Sequence, residues 1–223
     1  LEDLQVPYLK GTVIIPLMNG VENARIVSNR LNESVVLPAC VYVASHVKGP
    51  GVIEHKGADG RIICGIDEQT NYDYSRISNF LSQSPVSFEL LPDASIPIWK
   101  KFLFIASFGL MTARFNITFG ELCASQSYKE RAQAIAGEIL EIAIANGVNL
   151  ETSEARQIFD VAGAFPSTTR SSLQLDIHSG KDKNELDLFT DPIIRFGRAV
   201  GIRAREVESI RAEILALNQR SVL

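Results

Sequence analysis

The stretch Ile98-Trp99-Lys100-Lys101-Phe102-Leu103-Phe104-Ile105-Ala106-Ser107-Phe108-Gly109-Leu110-Met111-Thr112-Ala113 constrains this chain more than any other. It reads as a long apolar helix with two ammonium groups at its mouth. Close to a helix start the macrodipole is positive, and burial disfavours charge, so both effects push a lysine pKa downward. A lysine so placed is a candidate proton donor near neutral pH. The plainer reading is that both side chains snorkel to water from the first turns.

The chain has 223 residues, enough for one large domain or two small ones with a packed core. Its 46% hydrophobic content, 22% charged content and net charge of −4 are ordinary for a globular protein and lack the basic excess of a nucleic-acid groove. Apolar runs are interrupted by charges or prolines before the roughly 18 residues that a membrane span requires, and no signal-peptide succession opens the chain. Cys40, Cys64 and Cys123 are widely separated and lack Cys-x-x-Cys spacing. They point to reduced thiols and a cytoplasmic setting. His46, His55 and His178 have no metal-ligand spacing, so no metal is expected. No Gly-x-Ser-x-Gly elbow for acyl transfer is present.

Residues 12–17 read as a short parallel strand, followed by the Asn19-Gly20 turn and a helix to about Leu31 carrying Val21, Ala24, Ile26 and Val27 as apolar positions. Val35 to His46, Val52 to His55, Arg61 to Ile66 and Val86 to Leu90 have strand patterning. Gly49-Pro50-Gly51 and Ala58-Asp59-Gly60 are turns, and Asn71 to Ser82 is helical. From Pro92 onward only helices are legible, with Ser95 a cap for the lysine-bearing helix. The others cover 128–145 (ending at Asn146-Gly147), Thr152 to Ala162, Ser171 to His178, Pro192 to Val200, and a final helix striped by Val207, Ile210, Ile214 and Leu217. Gly180 to Asn184 is an exposed loop. The expected fold class is therefore an α/β domain over 1–92 followed by an all-α domain over 93–223. The opening Leu1 to Leu9 resembles the end of an amphipathic helix, so a preceding segment is expected.

Several motifs occur in a fixed order: Asn19-Gly20 after an apolar strand; Lys48-Gly49-Pro50-Gly51-Val52-Ile53-Glu54-His55-Lys56-Gly57; Trp99-Lys100-Lys101; Gly120-Glu121-Leu122; Arg170-Ser171-Ser172-Leu173-Gln174-Leu175-Asp176-Ile177; and Asn184-Glu185-Leu186-Asp187-Leu188. Together they resemble the ketopantoate reductase family, the 2-dehydropantoate 2-reductases, which reduce a 2-oxo acid with NADPH. The resemblance implies a partial Rossmann-type domain whose glycine-rich dinucleotide loop would lie roughly seventy to eighty residues upstream of Asn19. No Gly-x-Gly-x-x-Gly occurs in this sequence. The chain is therefore expected to be a fragment that fails in hydride transfer without that loop. A homodimer formed through the helical domain is a further implication.

Hydride transfer to a ketone leaves negative charge on oxygen, which calls for a poised proton donor. By the resemblance that donor is Lys101, in the Trp-x-Lys context, with Lys100 as the alternative. Glu185 matches the family's glutamate that holds the lysine or the substrate hydroxyl, and Asn184 is the weaker alternative. Ser172 matches the serine that contacts the substrate carboxylate, with Ser171 beside it. Asn19 matches the asparagine that reaches the nicotinamide or the substrate. Read without the resemblance, Glu185 is a solvated carboxylate in a first helical turn, either serine is an N-cap, and Asn19-Gly20 is a turn former.

Two positions depart from the family. Many ketopantoate reductases carry asparagines that contact the hydroxy acid one and two turns beyond the lysine, where this chain has Ile105 and Gly109. Residues four and eight after Lys101 lie on nearly the same helical face, so one wall of the pocket loses its amides. A substrate hydroxyl there would go unmatched at about 1–3 kcal/mol. The expected function is NADPH-dependent reduction of a small-molecule 2-oxo acid, ketopantoate or a related acid, in pantothenate synthesis if the usual substrate applies. The rival is a catalytically inactive helical binding or dimerisation module of reductase ancestry. No nucleic-acid or membrane partner is expected.

Overall fold

The computed structural model describes residues 11–31, 34–55, 59–66 and 72–220. The expected helix end at Leu1 to Leu9, Lys56-Gly57, Ala58 and Asn71 lie outside them. The chain divides into two compact units, one ending at Ile98 and the other starting at Trp99.

In the first unit, strand β1 (Val13–Ile14) pairs in parallel with β2 (Val35–Val36), and the ladder extends through Val35 N donating to Thr12 O at 3.0 Å and Leu37 N to Ile14 O at 2.9 Å. Between them lies α1 (Asn23–Ser28), shorter than the sequence pattern implies. Only Val27 of its apolar residues is buried, joining Leu31 and Val36 in a small core, while Ile26 faces solvent. The three-stranded sheet runs β3 (Ala39–Tyr42), β6 (Arg61–Gly65), β7 (Ser87–Leu91), antiparallel then parallel. A separate hairpin joins β4 (Ser45–Gly49) to β5 (Val52–His55) across the Gly49-Pro50-Gly51 turn. His55 is opposite Ser45, a pairing position of that hairpin. Helix α2 (Ser75–Ser82) precedes β7. Cys40, Cys64 and Cys123 are free thiols, and burial raises that of Cys64 to about 12.

The described elements of the second unit are all helices: α3 (Ser95–Phe115, its first residues in the first unit), α4 (Phe119–Ala124), α5 (Gln126–Ala145), α6 (Glu154–Gly163), α7 (Ser172–His178), α8 (Leu186–Ala199) and α9 (Arg205–Arg220). Despite the two lysines, α3 is long and apolar enough by composition to cross a membrane, contrary to the expectation that no run reaches that length. Most of that apolar window, 72%, is buried inside the protein, which makes α3 a core helix. Aromatic side chains from four other helices or loops close around it. Phe102 meets Phe189 edge-on at 6.0 Å, Phe108 meets Phe119 at 5.0 Å and Phe159 at 5.8 Å, and Phe104 stacks on Phe165 at 5.6 Å. Such pairs contribute roughly 0.5–1.5 kcal/mol each beyond the area they bury.

Three helix starts differ from the sequence reading. Ser95 does not cap α3; the carboxylate of Asp93 accepts from Ser95 N at 2.7 Å and from its hydroxyl at 2.6 Å, an Asx turn that leaves Ser95 as first helical residue. Helix α8 starts at Leu186 rather than Pro192, because Asn184 Oδ1 accepts from Leu186 N at 3.0 Å, and Pro192 is tolerated inside the helix. Helix α4, only six residues long, shows no apolar periodicity in the sequence, and Thr118 and Glu121 start it with a reciprocal capping box.

The C-terminal helix is held by charge. Glu138 of α5 accepts from Glu206 N at 3.1 Å and Val207 N at 3.0 Å, capping α9 from another helix. Further along α9, Glu213 accepts from Arg131 of α5 and, at 2.7 Å, from Arg114 at the end of α3. The hydrogen bonds from Arg131, reinforced by Arg114 and opposed by desolvation, hold the Glu213 carboxyl down at about 2 against an ordinary 4.5. A depressed carboxyl contributes stability that is present above the unfolded value and lost as pH falls through the folded one. Glu213→Gln is therefore expected to lower Tm at pH 7, with the gap to wild type closing between about pH 4.5 and pH 2 in thermal melts. A gap independent of pH would show that the carboxylate does not hold α9.

Candidate active site

The N-termini of α7 and α8 bring two of the expected residues together. Ser171 is the N-cap of α7, its hydroxyl accepting from Gln174 N at 3.1 Å and lying 2.7 Å from Thr112 Oγ1 on α3. Capping therefore occupies Ser171 and leaves the Ser172 hydroxyl outside the helix backbone, where it donates to Glu185 Oε2 at 3.4 Å. Glu185 is the N-cap residue of α8 but makes no side-chain cap; Asn184 provides that bond instead. The pairs Ser171/Ser172 and Asn184/Glu185 are thus each divided between one residue that starts a helix and one whose side chain is turned to other partners. A carboxylate at a helix N-terminus is favoured by the dipole.

The two lysines are divided in the same way. Lys100 Nζ lies 2.5 Å from Glu154 Oε1, a carboxylate only 7% exposed at the start of α6. Lys101 is half-buried on the adjacent face of α3 and also interacts within the structure. The partner of Lys100 had no signal in the sequence, since Glu154 lies on a different helix with no shared motif. Lys100→Ala is expected to lower stability by about 1–3 kcal/mol, because it leaves a buried carboxylate unpaired. Urea melts of Lys100→Ala and Lys100→Arg test this, the arginine variant retaining most of the lost stability. No loss in the alanine variant would mean that Glu154 is satisfied without Lys100.

Helix α3 offers little surface beyond Lys101. Of the residues from Phe102 to Ala113, Ile105 alone is not buried. One turn further, Gly109 faces the ring of Phe189: a Cβ built on Gly109 would stand 3.0 Å from Phe189 Cε2 and 3.9 Å from Leu173 Cβ. Phe189 is one turn after Glu185 and Leu173 is next to Ser172, so the starts of α7 and α8 both reach this part of α3. Phe189 was not singled out in the sequence, where it reads as one more apolar position.

Asn19 belongs to the first unit, in the bend after β1, at the C-terminal edge of a parallel strand pair where open α/β sheets bind ligands. Gly20 has φ 112, a conformation that favours glycine. The Asn23 amide donates to Met18 O at 2.8 Å and Asn19 O at 2.9 Å, tying the bend to the start of α1. Those bonds use the backbone oxygen of Asn19 and fix the turn geometry. No cluster of three or more histidine, cysteine or acidic side chains placed to hold a metal occurs among the described residues.

A Rossmann-like α/β unit followed by an all-helical unit, with a lysine-bearing core helix, is the architecture of a class of nicotinamide-dependent oxidoreductases. The family model described as "Ketopantoate reductase PanE/ApbA C terminal" matches residues 96–218, and that described as "Ketopantoate reductase PanE/ApbA" matches residues 1–69. This chain belongs to the ketopantoate reductase family. An oxidoreductase of Bacillus subtilis, YkpB, described as uncharacterized, is 24% identical over 96% of this chain and 71% of its own length. A 2-dehydropantoate 2-reductase of Streptococcus pyogenes serotype M3 is 20% identical over 91% of the chain, which spans 66% of that relative. The fold is that of the PanE/ApbA family ketopantoate reductase from Ralstonia eutropha JMP134, with TM-score 0.84 at 24% identity, covering 98% of this chain and 71% of that one.

Proposed function

We propose that the protein reduces a 2-oxo acid to the 2-hydroxy acid with NADPH, ketopantoate and its analogues being the substrate class that family membership implies. The observation that carries this reading is the Ser172–Glu185 hydrogen bond, at 3.4 Å, between two residues assigned to one site on motif alone. Their neighbours Ser171 and Asn184 perform the helix capping, which removes the structural explanation for Ser172 and weakens it for Glu185.

The cofactor's part is to supply a hydride to C2 of the oxo acid. Of this chain's residues, Asn19 is the one assigned beside the nicotinamide, and the bend fits that role through its place at the end of a parallel strand and its fixed backbone. Lys101 donates the proton to the ketone oxygen as negative charge develops there. Ser172 binds the substrate carboxylate. A single hydroxyl proton cannot serve both Glu185 and a bound carboxylate, so acid binding turns the Ser172 donor away from Glu185. Glu185 holds the Lys101 ammonium or the nascent hydroxyl.

The test is NADPH oxidation by the natural full-length protein with a panel of 2-oxo acids. Lys101→Ala is expected to lower kcat by about 100- to 10,000-fold, the range of a lost general acid. Lys100→Ala is expected to stay within about tenfold of wild type, since its partner is Glu154. Full turnover in Lys101→Ala, or no turnover of any 2-oxo acid by the folded wild type, would overturn the assignment.

A further inference from the structure

We infer that Gly120 and Thr112 are positioning residues for the proposed carboxylate contact, because they fasten the two ends of residues 167–171, the segment that delivers Ser172. The inference rests on the reductase reading of that serine. A helix start leaves four amides to be satisfied. In α4 the capping box takes two of them: the Glu121 carboxylate accepts from Thr118 N at 2.7 Å, and the Thr118 hydroxyl from Glu121 N at 3.2 Å. The other two donate outside the helix, Phe119 N to Thr169 O at 3.0 Å and Gly120 N to Ser167 O at 2.8 Å. Those carbonyls belong to the turn between α6 and α7, which Thr169 N closes on Pro166 O at 2.9 Å. So close an approach requires glycine. A Cβ on Gly120 would stand 2.7 Å from Ser167 Cβ, 2.8 Å from Ser167 O and 3.2 Å from Ser167 Cα, and backbone atoms cannot swing aside as the end of a side chain can. The Gly120-Glu121-Leu122 motif is thereby accounted for: the glycine by the turn, the glutamate by the cap, the leucine by complete burial.

Thr112 fastens the other end. It is buried in α3 and donates to Phe108 O at 2.7 Å, so the hydrogen bond of 2.7 Å between its oxygen and Ser171 Oγ uses the Ser171 proton. Ser171 Oγ in turn accepts from Gln174 N at 3.1 Å, which starts α7. Between these ends the Phe165 ring stacks on Phe104 of α3 at 5.6 Å and meets Phe119 of α4 at 5.7 Å. Ser172 follows the last of these anchors directly, and a shift of the segment carries its hydroxyl along. A displacement of about 1 Å at a binding group is enough to cost about 100-fold. If Ser172 holds the substrate carboxylate equally before and during hydride transfer, the loss falls on KM and leaves kcat in place.

The test is a double-mutant cycle in the full-length protein with NADPH and ketopantoate, or the analogue of the panel that turns over faster. Gly120→Ala is expected to raise KM for the acid about tenfold or more while kcat and KM for NADPH stay within about threefold of wild type. Gly137→Ala, in α5, adds the same methyl group where nothing lies within 4 Å of it, and is expected to change neither constant. Thr112→Val raises KM in the same way, and Thr112→Ser, which keeps the hydroxyl, restores it. Ser172→Ala raises KM about 10- to 100-fold, and in that background Gly120→Ala and Thr112→Val add less than about threefold. If Gly120→Ala does not fold, the Thr112 variants decide by the same criterion. An unmoved KM in Gly120→Ala and Thr112→Val beside a raised one in Ser172→Ala, or increments that persist in full without Ser172, overturns the inference and leaves the reductase reading intact. A Ser172→Ala enzyme with unchanged KM overturns the inference together with the role of that serine, and a folded wild type that reduces no 2-oxo acid overturns the whole reading.

Discussion

Burial of helix α3 is the constraint on which the second unit depends. Its apolar surface extends around almost the whole circumference, so helices must pack against it from several sides, and the phenylalanines at 102, 104 and 108 each find aromatic partners from different elements. A helix enclosed in this way has few places for charge. The two lysines sit in its early turns, where one finds a buried glutamate and the other stands one turn from Ile105, the one residue from Phe102 to Ala113 that is not buried. The position of the proposed acid follows from what the remainder of α3 must do.

The helix starts around this core follow a common physical rule. A helix N-terminus presents unpaired amides, and one side chain must satisfy them before its neighbour is released for other bonds. Ser171 and Asn184 do this for α7 and α8. Ser172 and Glu185 are the neighbours, and they bond to each other. Capping and the proposed binding role are thus carried by adjacent residues, which explains how two consecutive polar residues occur at each start.

Much of this was legible before the structure. The long helices α3, α5 and α9 announce themselves by apolar periodicity, the Asn146-Gly147 stop marks an end, and the order of short motifs points to the family that the comparisons identify. The starts at Ser95 and Leu186 were misjudged because side chains two residues earlier, Asp93 and Asn184, make the decisive bonds, and Pro192 resembles a first-turn proline while lying inside a helix. The pairing of Lys100 with Glu154 and the fit of Phe189 over Gly109 join distant segments, which no local pattern encodes. Gly109 stands out in the sequence as a glycine inside a long apolar helix, whereas the Phe189 ring that packs over it does not.

The central claim is that Lys101, Ser172 and Glu185 act on one 2-oxo acid. Its most direct test is a crystal structure of the full-length protein with NADP+ and ketopantoate, an unreactive pairing that holds the oxo acid in place. The account predicts the ketone oxygen within about 3 Å of Lys101 Nζ, the carboxylate on Ser172 Oγ, and the Ser172–Glu185 bond broken. An acid bound away from α3, or one whose ketone oxygen rests on Lys100, would contradict it.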